Sequence, residues 1–340
     1  MEKETGKNVE SEGGVGDENI DYNNLFTESF DDLDIKNVVD MAGISPNVML
    51  VETPSNNTSA TIAMRGGVTI NPAITWEPTV GVYLDGVYLG KTQGAIFDVV
   101  DLERVEILRG PQGTLYGRNT LGGAINLISQ RPNGSGVETK LTLGNYGLTQ
   151  AQFTTDFEIA DGTYGKLVVN SKERDGYVHN APGPYGGAQG VVPSADPTVN
   201  ELDTINSHGF RFTIARDTDN SSFDLSVDYN DQSNTPPFAQ LGYTIPNWSA
   251  AFGVGASPAT GGLKLWPIEL YTSKGRAKVA HVNEAVFEKS EVSGVALTYS
   301  RDTNLGTVKA ILARRETEWS DNLDLDGGPF PIANTSRYTD

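Results

Sequence analysis

The sequence has no cysteine and little histidine. Without cysteine among its 340 residues, the chain can form neither a disulfide framework nor a thiolate metal site. The three histidines, His179, His208 and His281, are widely spaced and have no partner at i, i+4, which is more typical of solvated loops than of metal ligands. The sequence therefore predicts no metal site and no cofactor.

Basic residues and long apolar runs are also scarce. Lys and Arg number 25 against 44 Asp and Glu, which gives a formal net charge of −19. Nucleic-acid binding needs clustered cations, so no nucleic-acid partner is expected. The sequence has no apolar run of about 18 residues, the length at which a membrane-spanning helix is predicted. The strands of a transmembrane barrel show only alternating hydrophobicity, so this absence does not exclude them.

Catalytic motifs are missing as well. No arrangement of serine, base and acid can be assembled and no G-x-S-x-G occurs, so the chain is not expected to be an enzyme. The Asp85-Gly86 pair between the alternating runs Val80–Leu84 and Val87–Leu89 predicts a hairpin turn through two left-handed residues. Residues Gly86–Thr92 also resemble a phosphate-binding loop, but its first glycine stands one residue too close to the Gly-Lys pair. Residues Asn322–Gly327 begin like a calcium loop. Ala333 stands where the bidentate Glu of an EF-hand belongs, which leaves at most a looser ion site in an external loop.

Glycine is abundant, with 38 residues, and it is concentrated in one informative stretch. Between Asp101 and Pro132 two apolar runs, Val105–Leu108 and Ala124–Ile128, flank a glycine-rich segment, which predicts a strand, a loop and a second strand. Glycines this close together predict left-handed or crowded backbone positions, so the loop should pack tightly against a neighbour. They are Gly110, Gly113, Gly117, Gly122 and Gly123, together with Pro111.

This stretch resembles the second half of the plug domain of TonB-dependent outer-membrane receptors. The family's LRGPQGTLYG-like run lies at Leu108–Gly117 and its GGAIN run at Gly122–Asn126. Two upstream matches occur in the family's order, IAMRG at Ile62–Gly66 and VGVYLDGVYLG at Val80–Gly90. The predicted signature loop comprises Gly110, Pro111, Gly113, Tyr116, Gly117, Gly122, Gly123 and Asn126.

The resemblance implies roles for two arginines and suggests where a ligand binds. In the family, arginines at the positions of Arg65 and Arg109 are implied to lock the plug to glutamates on the barrel wall; the alternative is that both are ordinary surface arginines. Four aromatic residues are candidates for stacking on a ligand, the alternative being a membrane-interface belt or loop packing. They are Trp76, Tyr185, Trp248 and Trp266.

Beyond Pro132 apolar and polar residues alternate, which predicts strands with one apolar and one polar face. The predicted strands are Val137–Leu143, Gln150–Ile159, Leu167–Asn170, Phe210–Arg216, Phe223–Tyr229, Ser293–Arg301 and Val308–Arg314. Short and long connections alternate after a short first loop at Gly144–Gly147, as in a barrel with tight turns at one end and long loops at the other. A soluble β-sandwich would show the same alternation of residues, but not this asymmetry of connections.

The sequence predicts three parts and a fold class. Residues 1–33 form an acidic segment that is expected to be disordered, and 134–340 form the first part of a barrel. Residues 34–133 form the plug, with a short helix at 34–42 and short strands at Met49–Thr53 and Thr61–Arg65. The expected fold is an α+β plug followed by an incomplete antiparallel transmembrane barrel, with about seven of about 22 strands. The N-terminus resembles no signal peptide and no energy-coupling box is evident, so a leader and the remaining strands are expected to be missing from this sequence.

The resemblance implies a function in uptake. The expected protein is a receptor in the outer membrane of a Gram-negative bacterium that takes up a scarce ligand, such as a ferric siderophore, with energy from the periplasmic TonB protein. Its expected partners are TonB, the imported ligand and outer-membrane lipid. The sequence does not select the ligand, since ferric siderophores, haem, cobalamin and glycans are all carried in the family. The alternative is a soluble, secreted β-sandwich that binds a ligand.

Overall fold

The structure, a computed structural model, describes residues 45–52, 56–69, 77–91, 101–181, 199–238, 240, 275–280, 282, 285–324 and 334–339. The chain divides into two units, Met1–Asp34 and Ile35–Asp340, and all of the described residues lie in the second. The predicted acidic segment 1–33 and the predicted helix 34–42 lie outside the described residues, so both stay predictions. No helix in the described ranges is long and apolar enough to cross a membrane.

The first three strands form a small antiparallel sheet. β1 (Val48–Glu52) pairs with β2 (Ala60–Met64), and β2 pairs with β3 (Gly67–Val68). β2 is the central strand and is almost wholly buried, as its run of short and apolar side chains favours. The predicted strands Met49–Thr53 and Thr61–Arg65 are confirmed, each displaced by one residue.

The next elements form a four-stranded sheet in the order β5-β4-β7-β6. The elements are β4 (Val80–Leu84), β5 (Val87–Tyr88), β6 (Leu102–Arg109), α1 (Gly113–Tyr116) and β7 (Gly123–Ser129). β4 runs parallel to β7, and β6 runs antiparallel to it. The predicted strand, glycine-rich loop and second strand are confirmed, with one helical turn, α1, inside the loop. Residues 45–134, which contain these two sheets, are called the N-terminal region below.

The turn between β4 and β5 has the predicted conformation. Asp85 and Gly86 have φ angles of 52° and 85°, so both residues are left-handed, as an Asp-Gly hairpin turn requires. The phosphate-loop interpretation of this segment fails on structure as well as on spacing. Its first glycine, Gly86, lies in the hairpin turn between β4 and β5, where it cannot open a phosphate-binding loop.

Most of the remaining residues form one antiparallel sheet, called the large sheet below. Its strands, together with three short ones that pair separately, are β8 (Ser135–Leu143), β9 (Thr149–Ala160), β10 (Thr163–Arg174), β11 (Val178–Asn180), β12 (Glu201–Leu202), β13 (Ile205–Thr218), β14 (Ser221–Asn234), β15 (Val279–Ala280), β16 (Phe287–Thr303), β17 (Gly306–Asp324) and β18 (Asn334–Thr339). The order in the large sheet is β18-β17-β16-β14-β13-β10-β9-β8, so its strands pair in sequence order and it is not closed within the described residues. β11, β12 and β15 form a small sheet.

The large sheet has eight strands within the described ranges, one more than the seven predicted. All seven predicted strands are present, and each is longer than predicted because the ladder continues into polar ends that break the alternation. β18 was missed because its sequence, NTSRYT, has a single large apolar side chain and no period of two. The prediction of about 22 strands in a complete barrel stays a prediction.

The two ends of the large sheet differ in their connections. Residues 161–162, 219–220 and 304–305 are two-residue turns at one end. The connections at the other end run over residues 175–204, 235–286 and 325–333, apart from the short one at 144–148. The predicted asymmetry is therefore confirmed, and the end with the long connections is called the outer end below.

The large sheet is buried on its polar face and exposed on its apolar face. On β14, Phe223, Leu225 and Val227 are about two-fifths exposed, whereas Ser226 and Asp228 between and beside them are buried. The same inversion holds on β10 and β13, where Lys166, Asn170 and Arg211 are buried. A sheet packed in a soluble sandwich would bury the apolar face instead. The N-terminal region lies against the buried polar face, as the ion pairs described below show.

Candidate functional site

The glycine motifs meet at one place in the N-terminal region, called the glycine junction below, which comprises Met64, Leu108, Gly122 and Gly123. Gly123 has a φ of 153°, and a Cβ atom added there would lie 2.1 Å from the Met64 sulfur and 2.4 Å from the Leu108 carbonyl oxygen. No side chain fits in that space. The junction therefore joins β2 to β6 and β7 at van der Waals distance.

Backbone hydrogen bonds close the signature loop over the junction. The Gly110 amide donates to the Gly122 carbonyl at 2.9 Å, and the Gly122 amide donates to the Thr79 carbonyl at 2.8 Å. Gly110 and Gly117 are left-handed, as predicted, with φ angles of 99° and 80°. The prediction was wrong for Gly113, which begins α1 with an ordinary φ and open space around it. Pro111 lies in the same loop, two residues before α1.

Three tyrosines pack beside α1. The Tyr83 hydroxyl donates to the Tyr116 carbonyl at 2.7 Å, and the two ring centroids are 4.9 Å apart. The Tyr88 ring lies 5.3 Å from that of Tyr83. Burial raises the pKa of all three hydroxyls above the ordinary tyrosine value, and for Tyr83 the neighbouring Tyr88 and Tyr116 raise it further. The cluster therefore stays neutral and ties α1 to the β4–β5 hairpin.

Asn126, the last predicted signature residue, lies on β7 and is buried. Its side-chain amide donates to the Glu106 carboxylate at 2.9 Å across the β6–β7 ladder. The contact joins two strands of one sheet, and it gives Asn126 a structural role within the N-terminal region.

Arg65 and Arg109 lie close to each other at the ends of β2 and β6. Arg65 is left-handed, with a φ of 49°, and its guanidinium lies against Gly110. Arg109 donates to the Pro46 carbonyl at 3.2 Å. In the described ranges neither arginine pairs with a carboxylate. The predicted lock to barrel glutamates stays a prediction.

An ion-pair chain joins the β4–β5 turn to the buried face of the large sheet. Asp85 accepts from Arg211 of β13 at 2.6 Å and from the Ser129 amide of β7 at 2.8 Å. Arg211 also pairs with Asp228 of β14 at 3.1 Å, and Arg315 of β17 pairs with Asp228 at 2.8 Å. Because Arg211 and Asp228 are almost fully buried, this chain is shielded from salt.

A second group of charges lies beside the first, where β6 begins and β7 ends. Lys166 of β10 is buried and donates to Asp101 at 2.9 Å. Arg131, in the segment between β7 and β8, forms two hydrogen bonds with Asp217 and one with Asp224. The bonds to Asp217 raise the pKa of Arg131 above the ordinary arginine value.

A third contact lies at the outer end of the large sheet. Glu288, the second residue of β16, is fully buried and accepts hydrogen bonds from the backbone amides of Asn57 and Thr58, both at 2.8 Å. The Thr58 hydroxyl also donates to it. The segment between β1 and β2 is thereby attached to the large sheet.

The groups that join the N-terminal region to the large sheet were not predicted from the sequence. Asp85 was recognised only as a turn residue, Arg211 and Asp228 were assigned to polar strand faces, and Glu288 was placed in a long connection before the predicted strand Ser293–Arg301. Their signal was present, since a charge on the predicted inward face of a strand has to find a partner. The partner could not be chosen from sequence because the contacts span up to 231 positions.

The four aromatic ligand candidates, Trp76, Tyr185, Trp248 and Trp266, lie outside the described residues and stay predictions, as does His281. His179 lies on β11, and His208 lies on β13 with its Nδ1 3.0 Å from the Ser171 hydroxyl. A cavity of about 340 Å³ separates the β5 strand from β17, lined in part by Tyr88, Lys91 and Arg315.

Comparisons with known proteins agree with the resemblance. A family model described as the TonB-dependent Receptor Plug Domain matches residues 21–124. The pesticin receptor of Yersinia pestis is 33% identical over 138 residues, which are 38% of this chain and 19% of that protein. The catecholate siderophore receptor Fiu of Escherichia coli (strain K12) is 32% identical over 127 residues, 36% of this chain and 15% of that protein. The matched part is thus less than a fifth of either relative.

Solved structures show the same fold over more of the chain. The ferric yersiniabactin uptake receptor FyuA from Yersinia pestis aligns with a TM-score of 0.63 and 18% identity, covering 87% of this chain and 41% of that one. The ferripyoverdine receptor of Pseudomonas aeruginosa aligns with a TM-score of 0.62 and 13% identity, covering 89% and 35%. At these identities the likeness concerns the fold alone.

Proposed function

We propose that this chain, which contains the plug domain of the TonB-dependent receptors, is part of a Gram-negative outer-membrane receptor that imports a scarce ligand such as a ferric siderophore. The observation that carries the proposal is the inverted large sheet, whose charged face is buried against the plug while its apolar face is exposed. Lipid is the environment in which an exposed apolar sheet face is stable. The soluble β-sandwich is not supported, since its core would need the opposite arrangement.

The contacts of the plug suggest how such a receptor stays closed. The plug in the described ranges is held against the large sheet by ion pairs and hydrogen bonds, at Asp85, Asp101 and the segment 56–58. Polar contacts of this kind can be exchanged for bonds to water, at a small net cost for each. A mechanical pull by TonB from the periplasm would therefore meet many small barriers in place of one large hydrophobic one.

Ligand binding would act at the outer end of the large sheet, whereas TonB pulls from the periplasm. The outer end of the large sheet carries the long connections, and the candidate ligand contacts Tyr185, Trp248 and Trp266 belong to them. A bound ligand shifts the plug only if it contacts the closed and open states differently. Chemistry on the ligand is not part of this proposal, since the receptor moves its ligand without changing it.

Membrane fractionation and uptake measurements test the proposed function. The full-length receptor should remain in the outer-membrane fraction after washing at high salt and should dissolve only in detergent. Cells that express it should accumulate a radiolabelled ferric siderophore, and loss of TonB should abolish the accumulation. Receptor recovered from the soluble periplasm without detergent would contradict the proposal. A panel of siderophores, haem and cobalamin would identify the ligand class.

The arginine lock is a separate part of the proposal. We expect Arg65 and Arg109 to reach carboxylates of the full-length barrel, because neither guanidinium pairs with a carboxylate in the described ranges and both lie beside the signature loop. Replacing both with glutamine, which keeps hydrogen bonding and removes charge, should lower the free energy of unfolding of the plug. Replacing the exposed Arg314 with glutamine is the matched control. Equal free energies of unfolding of the plug in the double variant and in the control would show that Arg65 and Arg109 are ordinary surface residues.

A further inference from the structure

A carboxyl group without a cation is buried at the outer end of the large sheet. Glu288 has no exposed surface, and in the described part of the chain no Lys or Arg pairs with it. Within the described ranges its carboxylate accepts three hydrogen bonds, and all come from the plug: the Asn57 amide to Oε2, and the Thr58 amide and hydroxyl to Oε1. A buried carboxyl group is tolerated only when its oxygens are satisfied in this way.

The plug residues that bind Glu288 are themselves held from several directions. The Trp319 indole of β17 donates to the Thr58 hydroxyl at 3.0 Å. The Asn57 side-chain amide donates to Asp203, in the connection before β13, at 3.2 Å. Thr58 and Trp319 are buried, so water does not replace the bond between them, whereas the bond between Asn57 and Asp203 is half-buried. Two plug residues, Asn57 and Thr58, thus contact three separate parts of the outer end of the large sheet: β16, β17 and the connection before β13.

Glu288 has its described partners on the plug, whereas the other charges named on the buried face have partners within the large sheet. Arg211, Asp228 and Arg315 pair with one another within the large sheet, so they keep partners when the plug moves. Glu288 loses all three of its donors if segment 56–58 withdraws. The closed position of the plug is therefore coupled to Glu288 more strongly than to the ion-pair chain.

The position of this contact links the outer connections to the glycine junction. Glu288 lies two residues after the long connection 235–286, and Asp203 lies in the connection between β12 and β13. On the plug side, segment 56–58 leads into β2, whose other end carries Met64 of the junction and Arg65. A displacement of the segment would be carried along β2, because that strand is hydrogen-bonded on both sides.

We propose that Glu288, Asn57 and Thr58 form a latch that holds the outer edge of the plug against the large sheet in the resting receptor and that opens when the plug moves. Glu288 is a positioning residue in this scheme. The proposal rests on the proposed function, since it assigns the latch to a receptor whose plug moves.

Leakage through the full-length receptor in the outer membrane tests the latch. The variants are Glu288→Ala and Glu288→Gln, and the matched control is Glu291→Ala, an exposed glutamate on the same strand. We expect entry of vancomycin, an antibiotic too large for porins, to rise by roughly tenfold in Glu288→Ala, because the buried plug donors lose both acceptor oxygens. A smaller rise is expected in Glu288→Gln, because glutamine keeps one acceptor oxygen and places an NH2 group where the other was. Entry should be unchanged in the control. Each value is divided by the amount of receptor labelled at the cell surface, so lower assembly alone cannot mimic the result.

A plug variant keeps the test decisive if the Glu288 variants fail to assemble. Thr58→Val preserves shape and removes the hydroxyl that joins Glu288 to Trp319, and a smaller rise in entry is expected. Thr114→Val, in the exposed helix α1, is the control. Normal amounts of receptor with no rise in vancomycin entry for any latch variant would overturn the latch.

Failure of the latch proposal can be distinguished from failure of the proposed function. TonB-dependent accumulation of ferric siderophore by the unmodified receptor tests the function, whereas leakage compares variants in the absence of ligand. Normal import with no leak in the variants would disprove the latch alone. A leak in the variants without import by the unmodified receptor would leave the latch standing and disprove the proposed substrate.

Discussion

At the scale of single residues, the glycine junction shows how one position can determine the packing of two sheets. Gly123 occupies a left-handed position and faces the Met64 sulfur and the Leu108 carbonyl oxygen. Because one of these atoms belongs to the backbone of a paired strand, a side chain at position 123 could not be accommodated by rotation of a neighbour alone. Gly113, ten positions earlier in the same motif, has no such constraint.

Substitution of these two glycines should have opposite effects. Gly123→Ala should lower the free energy of unfolding of the plug by roughly 1–3 kcal/mol or more, through overpacking and backbone strain. Gly113→Ala should be neutral or stabilise α1 by about 0.5–1 kcal/mol, because alanine restricts the unfolded chain. Thermal unfolding of the detergent-solubilised receptor, with proteolysis of the plug as a second measurement, compares the variants. Equal melting temperatures would contradict the crowding at Gly123.

At the scale of elements, the strands of the large sheet are defined by what each face contacts. β14 alternates between Leu225, which is exposed beside Ile214 and Leu297 on the neighbouring strands, and Asp228, which is buried in the ion-pair chain. A shift of one residue in register would exchange the two faces. Such a shift would place charged groups in lipid and apolar groups against the plug.

A charge on the apolar face of β14 should therefore be costly. Leu225→Arg should destabilise the inserted receptor by about 2–4 kcal/mol if the residue lies near the bilayer centre. The expected result is less receptor in the outer membrane and a lower melting temperature in detergent. Leu305→Arg is the control, since Leu305 lies fully exposed in the turn between β16 and β17 and its replacement should change neither quantity. The interpretation of this face as lipid-exposed is wrong if Leu225→Arg is tolerated equally well.

At the scale of the whole molecule, the plug and the large sheet are joined mainly by charged and polar groups. Asp85 with Arg211, Asp101 with Lys166 and Thr58 with Glu288 are contacts between them. An apolar interface would gain about 25 cal/mol for every Å² that it buries and would resist sliding over its whole area. A polar interface holds a defined position and can be rehydrated when the plug moves.

The pair Asp85 and Arg211 offers a quantitative test of this interface. Asp85→Ala should destabilise the plug by roughly 1–3 kcal/mol, less than for most buried ion pairs because Arg211 keeps Asp228 as a partner. A double-mutant cycle with Arg211→Gln should give a coupling free energy of about 0.5–3 kcal/mol. Asp161→Ala, in the exposed Asp-Gly turn between β9 and β10, is the matched control. A coupling near zero would mean that the contact does not hold the plug.

The sequence by itself determined the elements and much of their local geometry. The Asp-Gly pair predicted a turn with two left-handed residues, the glycine-rich stretch predicted a strand, a tight loop and a strand, and the period of two predicted seven strands of the large sheet. These features depend on neighbours along the chain, such as steric limits at glycine and the alternation of side chains on a strand. The two wrong predictions have the same origin. β18 was missed because it lacks the alternation. Gly113 was expected to have a left-handed or crowded backbone because it belongs to a glycine motif, although its position does not require glycine.

Only the tertiary structure decided which face of the large sheet is buried and which groups meet across it. Alternation is identical in a sandwich and in a barrel, so the burial of Arg211 and Asp228, with Leu225 exposed, could not be derived from the pattern. The partners of Asp85 and Glu288 lie 126 and more than 200 positions away in the chain. A charge must find a partner somewhere in a low-dielectric interior, but folding of the whole chain selects which one, because contact depends on distances that local sequence does not encode.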